Sequence, residues 1–162
     1  MKKINIVFSI AALAGLLLGS TVVSAAPNAK LSGTVKSDYS SLDYDGGKIM
    51  VGMLDGVAEV HSSSTGKLPN GLYRQRCAIR IHKSSQGLDV TSNCIMTDSG
   101  GDTISLIARR AAGEAQEGGG GDGKMTLVSG TGKFAGITGQ CVYNASWLPD
   151  QWISVESTCV VD

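Results

Sequence analysis

Leu72-Tyr-Arg-Gln-Arg-Cys77-Ala-Ile-Arg-Ile-His82-Lys-Ser-Ser-Gln-Gly87-Leu-Asp-Val-Thr-Ser-Asn-Cys94-Ile-Met-Thr-Asp98 reads as two strands around a turn. Apolar and polar side chains alternate through both halves with the period of two that puts successive residues on opposite sheet faces. Ser84-Ser85-Gln86-Gly87 supplies the turn chemistry between them. Closing that turn makes Lys83 face Leu88, and the antiparallel pairing then sets Cys77 opposite Cys94. Directly opposed residues of the closer, non-hydrogen-bonded kind lie within reach of a disulfide. Cys77, Ile79 and Ile81 share one face with Cys94, Ser92, Val90 and Met96 opposite, which marks the buried side. Arg74, Arg76, Arg80 and His82 share the other, opposed by Thr97, Ile95, Thr91 and Asp89. That second face is a solvated strand surface with a His82–Asp89 cross-strand pair, or, more sharply, a candidate anion patch.

The last strands follow the same logic. A loop at Pro149-Asp150-Gln151 makes Leu148 face Trp152, and the pairing sets Cys141 opposite Cys159. Two hairpins with ordinary loops thus give two disulfides, Cys77–Cys94 and Cys141–Cys159. A metal site fits the four cysteines poorly, because they show no Cys-x-x-Cys spacing and no nearby His pair.

Outward from these hairpins, strand-like runs recur at Leu31–Lys36, Lys48–Leu54, Val57–His61, Thr103–Arg109 and Lys124–Val128. Turn signals at Asp45-Gly46-Gly47, Pro69-Asn70-Gly71 and Ser99-Gly100-Gly101 separate them. Asp55-Gly56 is either a hairpin turn or a bend within one long strand. Ala111–Gly123, with Glu114, Glu117 and Asp122, reads as a Gly-rich surface loop of net negative charge. About seven to nine short strands in one chain predict an all-β domain, a small antiparallel barrel or a sandwich. The 22 glycines against 3 prolines suit tight turns between strands.

The first residues have a different task. Lys2 and Lys3 precede a mostly apolar stretch, Ile4 to Leu18, and small residues follow to Ala26. That order is a secretory signal peptide, with cleavage expected after Ala25 because Pro27 disfavours a cut after Ala26. Residues 1–25 are therefore expected to be a signal and 26–162 a single domain, secreted or periplasmic, with no stable membrane insertion. An even cysteine count fits that oxidising destination. Lys and Arg balance Asp and Glu at 14 each, so no basic footprint of a nucleic-acid binder is present.

Gly130-Thr131-Gly132-Lys133-Phe134-Ala135-Gly136-Ile137-Thr138-Gly139 is the most specific stretch, with glycines for a sharp strand connection and Phe134 to plug the core. It resembles the signature of bacterial proteins related to the allene oxide cyclase-like barrel. Cys94-Ile95-Met96-Thr97-Asp98-Ser99-Gly100-Gly101-Asp102 resembles a turn of the same group. The resemblance implies an eight-stranded antiparallel barrel, in some members with a small-molecule cavity, and transfers no activity.

Candidate chemistry is sparse. A hydrolytic triad would have to use His61 or His82, and neither sits in a recognisable nucleophile context. Asp38, Asp43 and Asp45 lack the spacing of a calcium loop and read as a turn-rich solvated segment. No metal and no cofactor are expected. Phe134, Tyr143, Trp147 and Trp152 are the candidate lining of a cavity, since such pockets are mostly apolar. The favoured expectation is a noncatalytic exported barrel that binds a small apolar molecule or a partner. A cofactor-free isomerase or cyclase of the allene oxide cyclase type is the alternative. Catalytic residues and oligomeric state are not legible in the sequence.

Overall fold

The computed structural model describes residues 25–111 and 120–162; residues 1–24, all but the last residue of the expected signal, and 112–119, within the expected Gly-rich loop, lie outside the described residues. Eight strands follow one another: β1 Ala29–Tyr44, β2 Gly47–Ser63, β3 Gly71–Ser84, β4 Gly87–Thr97, β5 Thr103–Arg110, β6 Gly121–Gly130, β7 Gly139–Trp147 and β8 Trp152–Val161. Each pairs antiparallel with the next, and β1 pairs with β8 to close a barrel. Closure leaves no unpaired sheet edge. Of the two architectures open to the sequence, the barrel is the one formed.

The barrel is strongly sheared. Stepping from Ala29 across the pairings through Cys159, Cys141, Met125, Ala108, Ser92, Ile79 and Gly52 returns to β1 at Tyr39, ten residues beyond the start. An eight-stranded barrel of this kind tilts its strands about 35–45° and leaves room inside for side chains or one small ligand.

Both hairpins pair in the expected register, and both disulfides form across it, Cys77–Cys94 and Cys141–Cys159. The β3–β4 turn is tighter than expected: Ser84 pairs with Gly87, leaving Ser85 and Gln86 at the tip. Gly87 takes a φ of 115°, which favours glycine.

The first two strands depart most from expectation. Asp55-Gly56 is no turn: β2 runs through it without a break, paired with Lys36 and Val35 of β1. Gly56 lies so close to β1 that a Cβ there would overlap the Thr34 carbonyl oxygen, and Gly52 meets the Asp38 carbonyl in the same way. The glycines therefore permit close strand approach instead of marking a corner. Asp38 and Asp43 likewise belong to β1, and only Asp45 falls in the turn. Gly121-Asp122-Gly123, expected in the Gly-rich loop, begins β6.

The two barrel ends differ. At one end, the base, the β2–β3 and β6–β7 connections fold Leu68, Phe134 and Ile137 inward, each about 1% exposed. Phe134 packs against Tyr73 with ring centroids 6.0 Å apart, and the Tyr73 hydroxyl donates to the Pro69 carbonyl at 2.7 Å. The other end, the mouth, holds the β1–β2, β3–β4 and β7–β8 connections, the end of β5 and the start of β6.

Candidate functional site

Inside the barrel is a cavity of about 290 Å³. Its floor and walls come from inward residues of the strands, among them Leu54, Cys77, Cys94 and Leu106, which form one cross-strand row. Above that row stand Ile79, Ile81, Val90 and Ile153. Met50, Leu88 and Trp147 stand towards the mouth, and Tyr143 and Val155 lie deeper on β7 and β8. A 150 Å³ apolar cavity is enough for benzene, so this one admits roughly twice as much, about a dozen non-hydrogen atoms.

Few polar groups interrupt the lining: Gln75 and Ser92 in the wall, Lys83 and Arg110 towards the mouth. Apolar walls with a few placed polar groups are the usual make-up of a small-molecule site. Arg110 ends β5, is 5% exposed, and donates from Nη2 to the Gly121 carbonyl at 2.7 Å. Its guanidinium lies 5.5 Å from the centroid of the Tyr143 ring. Tyr143 faces Gly123 across β6 and β7, and a Cβ at Gly123 would overlap its ring. The missing side chain of Gly123 is what lets that ring lie flat on the barrel wall.

Of the four candidate lining residues, Tyr143 and Trp147 do line the cavity. The other two do not. Phe134 is spent on closing the base, where a sharp Gly-rich connection turns it inward. Trp152 begins β8, is 38% exposed, and has the Lys36 ammonium 5.9 Å from its ring centroid. Arg110 was missed because the strand run was read as ending at Arg109, one residue short of the end of β5. Alternation from Ile104 and Leu106 through Ala108 would have pointed it inward.

The candidate anion patch is partly neutralised. Asp55, opposite Arg76 on β2, accepts from Arg74 at 2.9 Å and lies 3.5 Å from the Arg76 Nε. The Arg74 hydrogen bond, with Arg76 beside it, holds the Asp55 carboxyl below its ordinary range. His82 faces Asp89 as expected, but its Nε2 contacts the Tyr44 hydroxyl, and the two rings stack 5.8 Å apart.

His61 acquires neighbours that the sequence did not announce. Its Nε2 is 2.6 Å from the Ser32 Oγ, and its Nδ1 is 3.5 Å from Glu59. The three stand on the outer face beside a broad depression of about 780 Å³ lined also by Lys30, Lys124 and Val142. The carboxylate is half-exposed and beyond good hydrogen-bonding distance, so it does not hold the imidazole as a hydrolytic triad requires. Among the described residues, no group of three or more His, Cys, Asp or Glu is placed to hold a metal. None of the described helices is long and apolar enough to cross a membrane.

Fold and site together define a closed eight-stranded antiparallel barrel with one end plugged and an apolar cavity under the other. Comparison with protein-family models, with curated proteins and with solved structures finds no match.

Proposed function

We propose that this protein is an exported, noncatalytic binder of a small apolar molecule, held inside the barrel. The observation that carries the reading is the apolar cavity of about 290 Å³ above a packed base. A barrel made only for rigidity would be expected to fill that space, because interiors pack to crystal-like density. Export is supported by the two disulfides, which persist in oxidising compartments, and by the charge–apolar–small order of the first residues.

Native mass spectrometry of protein purified from its own extracytoplasmic compartment tests this reading. A mass above the oxidised chain, lost on denaturation, is the expected result. A bare chain that also shows no thermal shift with a panel of compact apolar compounds would overturn it.

A second reading, a cofactor-free isomerase of the allene oxide cyclase type, is favoured by the polar Gln75 and Ser92 in an otherwise apolar wall. Recovery of the bound compound chemically unchanged after prolonged incubation would exclude it for that compound.

A further inference from the structure

We propose that Arg110 is the anion-recognition residue of the cavity and that the ligand is a compact carboxylate: an aromatic or alicyclic body of about a dozen non-hydrogen atoms bearing one acidic group. The inference rests on the cavity-binding reading above and adds to it the charge and size of the ligand.

A guanidinium stays protonated at any physiological pH, so burial does not neutralise it. Charges taken out of water are paired, or they mark a site. On the outside of this barrel several cations are paired: Arg74 and Arg76 share Asp55, Lys48 reaches Asp43, and Lys133 pairs with Asp98. Arg110 differs in being buried. It is 95% buried, its Nη2 is satisfied by the Gly121 carbonyl, and its Nε is buried with no hydrogen-bond partner. Among the described residues no carboxylate forms an ion pair with it. The side chain is on the inward face of β5 and lines the cavity. The residue that carries this planar, charged donor fork lines an apolar chamber, and an oxyanion on an apolar body matches it.

The depth of the chamber limits the size of that body. Arg110 pairs with Val90, and four residues back along β5 Leu106 pairs with Cys94 of the floor disulfide. At about 3.3 Å per residue that is roughly 13 Å of strand, or about 10 Å along the axis at a tilt near 40°. Together with the cavity volume, this accommodates a bicyclic ring and is overfilled by a long acyl chain. The Tyr143 ring, close to the guanidinium and on the same wall, offers a flat surface for such a ring.

The test compares 2-naphthoate with 2-naphthylmethanol, nearly the same shape without the charge, by calorimetric titration of the full oxidised protein. The carboxylate is expected to bind about ten- to a hundred-fold more tightly, the range of a charge-assisted hydrogen bond. Arg110→Gln should bring the two affinities together, while Arg110→Lys should keep part of the preference. The wild-type comparison decides the matter even if the Gln variant does not fold. Equal or tighter binding of the alcohol overturns the carboxylate assignment and leaves the apolar-cavity reading standing. A preference that survives in Arg110→Gln overturns the role of Arg110. Binding of neither compound overturns the proposal, and the thermal-shift panel of neutral compounds then decides separately whether the cavity reading falls with it.

Discussion

Asp98 shows how one side chain can tie distant chain segments together. Its Oδ1 accepts from the backbone N–H groups of Gly100, at 2.8 Å, and Asp102, at 2.9 Å, which fixes the β4–β5 turn. Its other oxygen pairs with Lys133, in the β6–β7 connection. Asp102 in turn accepts from the Lys133 backbone N–H at 3.2 Å, and Gly132, at φ 52°, has no room for a Cβ beside that carboxylate. The Lys133 hydrogen bond, helped by the turn amides, holds the Asp98 carboxyl below its ordinary range and raises Lys133 above its own. A depressed native carboxyl contributes stability above the unfolded value near about 3.9, and that contribution is lost as pH falls through the lower native value. Lys133 contributes with the opposite sense, its share being lost only as pH rises through its raised native value. Asp98→Asn keeps the Oδ1 acceptor and removes the charge. The variant is expected to melt lower than wild type at pH 7, with the gap closing as both are acidified below about pH 4. Melting curves that run parallel from pH 7 to pH 2 would show that the ion pair contributes nothing.

At the scale of elements, the hairpins β3–β4 and β7–β8 are each stapled across a directly opposed pair. Their cysteines are 17 and 18 residues apart, so each bridge closes a short loop worth roughly 3 kcal/mol in the chain-entropy model. All four cysteines are 4% exposed or less, which shields the bridges in the folded barrel. Reductant should therefore act slowly under native conditions and lower the melting temperature once the bridges open. Peptide mapping of the oxidised protein should return Cys77–Cys94 and Cys141–Cys159. A Cys77–Cys141 peptide in material refolded to native mobility would contradict the pairing register.

For the whole molecule, the two barrel ends are built for different tasks, and substitutions should separate them. Phe134→Ala removes a fully buried ring from the base and is expected to cost about 3–5 kcal/mol, with little effect on ligand affinity if the domain still folds. Ala108→Leu adds bulk to the cavity wall instead. It should leave stability unchanged or raise it by about 1 kcal/mol, as cavity-filling substitutions commonly do, while weakening 2-naphthoate binding at least tenfold. Full affinity in Ala108→Leu would place the ligand outside the barrel.

The all-β class, the register of the two cysteine hairpins and the disulfide map were determined by the sequence, because alternation and turn length are local and an antiparallel hairpin carries them rigidly to Cys77–Cys94 and Cys141–Cys159. The use of Gly52 and Gly56 was not legible: a glycine that turns the chain and one that admits a neighbouring strand look alike until the neighbour is known. For the same reason Phe134 and Trp152 were misplaced as lining while Tyr143 and Trp147 were not. Closure of β1 onto β8, the plugged base, and the apolar chamber beside Arg110 were decided only by the tertiary structure. Each depends on the shear that brings residues from opposite ends of the chain to one level of the barrel, and shear is a property of the closed sheet and of no strand alone.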